Sequence, residues 1–210
     1  MQAGGEDDVL VVVDVQRDFC SGGALAVADG DAVVAPVNRL MDHFRHVILT
    51  QDWHPADHSS FAAQHPGRQP FDVIRMPYGE QRLWPVHCVI GTPGAEFHPQ
   101  LDPTRAELVL RKGFRREIDS YSAFIENDHA TETGLAGYLR ERGLRRVFVA
   151  GLALDYCVGF SALDARRLGF EAWLISDATR AVDPGESMTR MQQHLATGGV
   201  ACLTSDALLA

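Results

Sequence analysis

Five side chains sit just past the ends of short apolar runs and carry the chemistry this sequence offers. Asp14 follows Val9 to Val13, Asp52 and His54 follow Val47 to Thr50, Lys112 follows Leu108 to Leu110, and Cys157 follows Arg146 to Ala150. A cysteine at the start of a helix meets unpaired backbone amides and the positive end of the helix dipole, which favours a thiolate and predicts a depressed thiol pKa. Lys112 would push the same way. Asp14 would accept the thiol proton and return it later, as a general base and acid. Position alone leaves a second reading open: a small packed thiol, and a carboxylate that caps the next helix.

The segment Asp52-Trp53-His54, with His58 and with His87 in Trp84-Pro85-Val86-His87, supplies a carboxylate and imidazoles. That donor set suits a borderline divalent metal such as Zn, Fe or Mn, with little preference among them. The spacings match no zinc finger, and hydrogen-bonding histidines are the alternative. Five of the nine histidines (His54, His58, His65, His87, His98) crowd into residues 51–105.

The elements that must position these groups follow from periodicity. Val9 to Val13, Val47 to Thr50, Leu108 to Leu110, Arg146 to Ala150, Glu171 to Ile175 and Val200 to Thr204 read as strands. Ala32 to Phe44, Glu132 to Arg142, Cys157 to Leu168 and Pro184 to Thr197 carry helical spacing, with Gly143, Gly169 and Gly198 where helix ends favour a left-handed residue. Continuous apolar strands with helical crossovers predict a doubly wound α/β fold, in which ligands bind beyond the carboxyl ends of the strands. The candidate residues all occupy that edge. Residues 51–105, rich in Pro, Gly, His and aromatics, show no periodicity and read as a site-building insert within one domain spanning 1–210.

Composition narrows the function classes. The 210 residues are 46% hydrophobic and 22% charged, with 19 basic and 28 acidic side chains giving a net charge of −9. That balance repels phosphate backbones and anionic membranes, so neither nucleic acid nor a membrane is expected as a partner. The acidic start and the short apolar run after it predict no export signal, and four widely spaced cysteines fit reduced thiols in the cytoplasm. No G-x-G-x-x-G, P-loop or G-x-S-x-G motif is present. The Arg111 to Arg116 cluster reads as a solvated turn.

Across nearly its whole length the chain resembles the nicotinamidase (pyrazinamidase) family of the isochorismatase-like cysteine hydrolase superfamily. The resemblance rests on five ordered segments: VDVQRDFC, QDWHPADHSSF, LWPVHCVIGTPGAEFHP, RKG and GLALDYCV. It implies a Rossmann-like three-layer α/β/α sandwich around a six-stranded, mostly parallel sheet, and hydrolysis of nicotinamide to nicotinic acid and ammonia. By the same resemblance Asp14, Lys112 and Cys157 form the catalytic triad. Asp52, His54 and His87 bind one divalent metal, zinc being favoured, with His58 as a further ligand in some relatives. Phe19, Leu25, Trp84 and Tyr121 wall the ring pocket, Leu152 and Ala153 form a non-proline cis peptide beside it, and the amides of Ala153 and Cys157 form the oxyanion hole. The resemblance also implies a homo-oligomer, relatives often being homodimers or larger. Leu154 departs from the usual threonine, and Tyr156 and Gly159 stand at variable positions. The rival readings are a related amidase acting on a carbamoyl or ureido compound, a noncatalytic protein on the same scaffold, and a redox role for Cys157.

Overall fold

The computed structural model describes residues 3–209. In chain order it contains β1 (Asp8–Val13), α1 (Val34–His43), β2 (His46–Asp52), a hairpin of β3 (Val73–Met76) and β4 (Gly79–Arg82), and β5 (Leu108–Lys112). There follow α2 (Leu135–Glu141), β6 (Arg146–Leu152), α3 (Gly159–Arg167), β7 (Glu171–Arg180), α4 (Glu186–Thr197), β8 (Ala201–Leu203) and α5 (Ser205–Leu209). Six strands form one sheet in the order β5-β2-β1-β6-β7-β8, and every pairing in it is parallel. The expected α/β class is the observed one.

Alternation along the buried strands builds two cores. Leu10 and Val12 point into the layer with Val37, Leu40 and Met41 of α1, while Val9, Val11 and Val13 point into the layer with Leu135, Leu139, Ala162 and Leu195 of α2, α3 and α4. All six residues of β1 are buried, as a strand covered on both faces requires. The chain winds outward from β1 through β2 to β5, and outward the other way from β6 through β7 to β8. Strand order therefore reverses between β1 and β6, and the crevice at that switch point opens where β1 runs into Asp14 and β6 runs toward Cys157.

The structure departs from the periodicity reading in several places. The insert 51–105 contains the antiparallel hairpin β3–β4, closed through Pro77 and Tyr78 and with a half-polar face that gave no apolar alternation. Strand β7 continues to Arg180, past the expected Ile175, with a register irregularity opposite Val149 to Gly151. Helix α2 starts only at Leu135, because Gly134 is left-handed with φ of 96°. The segment from Leu154 to Val158 is a π-helical turn, so the regular helix begins at Gly159 rather than Cys157. Gly143 and Gly169 take the left-handed conformation at helix ends, but after α4 that role falls to Gly199 (φ 73°), and Gly198 stays right-handed. Lys112 is fully buried, so the basic cluster is solvated only on its far side. Among the described residues no helix is long and apolar enough to cross a membrane.

Candidate active site

Parallel pairing brings the charged residues together by register. Asp52 closes β2 opposite Lys112 at the end of β5, while Asp14 leaves β1 with a left-handed φ of 48°. Lys112 Nζ lies 2.8 Å from Asp14 Oδ2, is hydrogen-bonded to Asp52 Oδ1, donates to the Ser120 carbonyl at 2.8 Å, and sits 3.5 Å from Cys157 Sγ. One buried ammonium thus faces two carboxylates and a thiol. Thr50 Oγ1 donates to Asp14 Oδ1 at 2.5 Å and accepts from the Asp14 amide at 3.1 Å, fixing the carboxylate plane. Asp14 Oδ2 has Lys112 Nζ as its charged neighbour, at 2.8 Å. One carboxylate oxygen each of Asp14 and Asp52 and the sulfur of Cys157 lie within 4.8 Å of one another, close enough for a proton to pass between acid and thiol.

The two carboxylates are not equivalent. Burial pushes both upward, but Lys112 and His54 outweigh it at Asp52 and hold that carboxyl well below the usual range. At Asp14 burial prevails, reinforced by the charge of Asp52, and its pKa is raised despite Lys112 and Thr50. Lys112 resists the opposite pull of burial because Asp14 and Asp52 hold it charged, well above the ordinary lysine value. Asp14 is therefore the more basic acid of the pair. The depressed thiol expected at Cys157 is not found: burial, with Asp14 and Asp52 adding to it, outweighs Lys112 and raises that pKa well above the ordinary cysteine value. The resting nucleophile is a neutral thiol that needs its base.

Beside this group Asp52, His54 and His87 present ligand atoms within 4.8 Å of one another. His54 Nδ1 meets the Gly113 carbonyl at 2.8 Å and His87 Nδ1 meets the Pro85 carbonyl at 2.8 Å, so each ring nitrogen Nδ1 carries its proton toward a backbone acceptor. Each Nε2 then faces Asp52 Oδ2, at 3.5 Å and 3.8 Å, the side on which a bound ion would take its lone pair. Outer-shell anchoring of this kind fixes the tautomer a metal ligand needs, and the three donors fit a divalent ion. His58 stacks against His54 with centroids 4.3 Å apart, but its Nδ1 is engaged with Ser60 Oγ at 2.7 Å and its Nε2 faces the Ile118 carbonyl at 3.3 Å. Burial and the neighbouring His54 lower its pKa to about 4, and this neutral ring, outside the Asp52 trio, forms with His54 and Asp119 a second set of ligand atoms within 4.8 Å of one another. Cys20, Asp31 and His98 also converge, yet the Gln100 amide donates to His98 Nδ1, which commits Nε2 to carry the proton toward Asp31.

Gly113 controls this arrangement. Its φ is 68°, and a Cβ there would stand 2.5 Å from His54 Cε1 and 2.8 Å from Nδ1. Gly113→Ala is expected to displace the His54 ring and weaken metal binding by about 10- to 100-fold, the usual effect of disturbing an outer-shell partner. Metal content after dialysis against a graded chelator measures it, and retention equal to wild type would contradict the assignment of His54 as a ligand.

A small cavity of about 30 Å³ opens over these groups, lined by Phe19, Leu25, Trp84, Tyr121, Ala153 and Cys157 among others. Trp84 meets Tyr156 edge-on at 4.8 Å and Tyr121 at 6.1 Å, and Phe19 meets His87 edge-on at 5.5 Å. The Leu152–Ala153 peptide is cis, and the Ala153 carbonyl accepts from the Tyr156 and Val158 amides at 3.1 and 3.0 Å, which closes the turn that carries Cys157. Leu152 does not line the cavity. Strand alternation turns its side chain into the α1-side core with Phe148 and Ala150. The sequence reading missed Asp119, Tyr156 and Val182, which do line it. Val182 lay beyond reach because β7 was ended at Ile175; with the true end at Arg180, the strand-end rule points to it.

Fold, switch-point crevice and site together define a cysteine-centred hydrolase of the doubly wound α/β class. The Isochorismatase domain model matches residues 8–206, and the chain belongs to that family. It is 50% identical over 200 residues to the nicotinamidase of Acinetobacter baylyi, covering 95% of this chain and 94% of that one. Among solved structures it superposes on the Acinetobacter baumanii nicotinamidase pyrazinamidase with a TM-score of 0.96 at 50% identity, covering 98% and 99% of the two chains. The pyrazinamidase of Pyrococcus horikoshii in complex with zinc matches with a TM-score of 0.77 at 34% identity, covering 94% and 99%.

Proposed function

We propose that this chain hydrolyses nicotinamide to nicotinic acid and ammonia, and pyrazinamide to pyrazinoic acid, through a thioester on Cys157. The observation that carries the reading is the meeting of Asp14, Lys112 and Cys157 at the floor of an aromatic-walled cavity beside Asp52, His54 and His87. Nicotinamidase relatives at up to 50% identity support it, as do the aromatic walls of the cavity.

Asp14 Oδ2 takes the thiol proton of Cys157, and the sulfur attacks the carboxamide carbon. The carbonyl π pair moves to oxygen, and the oxyanion is met by the Ala153 and Cys157 amides. Asp14 returns its proton to the amide nitrogen, ammonia departs with the C–N bond, and the acyl group stays on sulfur. Water then gives a proton to Asp14 and its oxygen to the carbonyl carbon, and collapse expels the Cys157 sulfur, which recovers the proton. Lys112 remains an ammonium throughout and compensates the negative charge that moves between Asp14 and sulfur. Asp52, His54 and His87 would hold a divalent metal, with zinc favoured over iron or manganese by the zinc-bound relative, whose Lewis acidity would orient the substrate's ring nitrogen.

Ammonia release from nicotinamide by the purified protein, before and after metal stripping and reconstitution, tests the reading. Turnover that falls on stripping and returns on reconstitution supports it; no release from metal-replete enzyme rejects it. The pH profile tests the proton inventory. Asp14 must be ionised to act, and its pKa is raised, so kcat/KM is lost as pH falls through a value above the ordinary carboxylate range. Because the Cys157 thiol is raised as well, kcat/KM is expected to show no upward step near the ordinary thiol pKa; such a step would identify a free thiolate as the reactive form.

A further inference from the structure

Asp155 lies two residues before the nucleophile, is nearly fully buried, and takes no part in the steps above. Its carboxylate is spent on one segment: Oδ1 accepts from the Val182 amide at 2.9 Å and Oδ2 from the Asp183 amide at 3.0 Å. Val182 follows the end of β7 and forms part of the wall of the catalytic cavity. Beyond it Asp183 caps the approach to α4, its carboxylate accepting from Gly185 and Ser187. The turn that presents Cys157 and the Val182 wall of the cavity are thus joined through one side chain. A carboxylate is needed for this. It offers two acceptors, whereas an amide offers one acceptor and an NH2 group that would face a backbone N–H.

We propose that Asp155 is a positioning residue that sets substrate selectivity by clamping Val182 against the ring-binding space, so that the site accepts an unsubstituted six-membered heteroaromatic amide and rejects rings carrying an added methyl group. The inference rests on the amidase reading given above. It separates two properties of the π-helical turn: Cys157 supplies bond-making, and Asp155 supplies the shape of the far wall. Leu154, the departure from the family's usual threonine, packs into the α2–α4 core and takes no part in the clamp's two hydrogen bonds.

Steady-state kinetics on metal-replete wild type, Asp155→Asn and Val182→Ala, with nicotinamide and a set of monomethylated nicotinamides, tests this. Asp155→Asn is expected to raise KM for nicotinamide about tenfold with kcat within about threefold of wild type, the scale of one or two lost buried hydrogen bonds. Val182→Ala, which removes bulk without touching the clamp, is expected to raise kcat/KM for at least one methylated ring about tenfold relative to nicotinamide, and Asp155→Asn should relax preference toward the same ring. An Asp155→Asn enzyme with reduced kcat and unchanged KM, or a Val182→Ala enzyme with wild-type selectivity, would overturn the proposal while leaving the amidase reading intact. A wild-type protein that releases no ammonia from nicotinamide overturns both. Should Asp155→Asn fail to fold, the Val182→Ala selectivity decides.

Discussion

Replacing Cys157 by alanine lowers turnover of nicotinamide by roughly 10⁴-fold or more while leaving the fold and the metal content in place, on the scale seen when a covalent nucleophile is removed. Among the described residues that line the cavity, Cys157 carries the one thiol, the group that forms the acyl intermediate. Asp14 Oδ2 would then have no thiol proton to accept, and any remaining hydrolysis must come from water attacking an oriented amide. The structural cost is small. Cys157 is buried in the layer with Val158, Ala162 and Met191, and losing one sulfur leaves a cavity of about one methyl group, worth roughly 1 kcal/mol. Removing the thiol does not disturb Asp52, His54 or His87, since none of them is hydrogen-bonded to it. The check is single-turnover ammonia release with matched thermal melts and elemental analysis. An alanine variant retaining a tenth of wild-type turnover would mean that the metal site activates water directly and that the thioester is not on the path.

Much of this site was legible in the sequence because a doubly wound sheet converts strand ends into neighbours. Asp14, Asp52, Lys112 and Cys157 are up to 143 positions apart, yet each stands where a strand finishes, and the order β5-β2-β1-β6 lines those finishes up. Two things were not legible. The first was electrostatic sign: a helix start and a nearby lysine predict a depressed Cys157, but full burial and two carboxylates around one ammonium reverse that prediction, and these are properties of depth and company rather than of spacing. The second was the irregular wall. Asp119, Tyr156 and Val182 reach the cavity from a loop, a π-helical turn and a strand end hidden by a register irregularity, and none of these leaves a periodic trace. His58 is bonded to Ser60 and toward Ile118 and stands outside the Asp52 trio, while its ring meets His54 and Asp119 in a second donor group that the spacing alone does not reveal, since Asp119 lies 61 positions away.

Lys112→Met is expected to be the substitution most damaging to stability, and to damage activity as well. The ammonium is fully buried and is the cation shared by Asp14 and Asp52, so methionine fills its volume and leaves two buried carboxylates facing each other. Breaking a buried ion pair by removing one partner costs about 3–5 kcal/mol, because the stranded charge stays desolvated. The molecule can relieve that cost by protonating one acid. Asp14 is the one that yields, since its pKa is already raised and Asp52 keeps His54 and its place among the metal donors. A protonated Asp14 cannot accept the Cys157 proton, and kcat should fall by about 10³-fold or more. The pH dependence gives the assignment its sharpest form. In the wild type the depressed Asp52 contributes stability that is present above its unfolded pKa and lost as pH falls through the folded value. In the variant a further raised Asp14 binds its proton more tightly folded than unfolded, so it costs stability as pH rises and ceases to cost it once protonated. The stability gap between wild type and Lys112→Met, measured by urea denaturation of metal-replete protein, should therefore narrow as pH is lowered from about 8 to about 5. A gap that is constant over that range would place the lost energy in packing, and with it would go the role of Lys112 as the charge that keeps Asp14 a base.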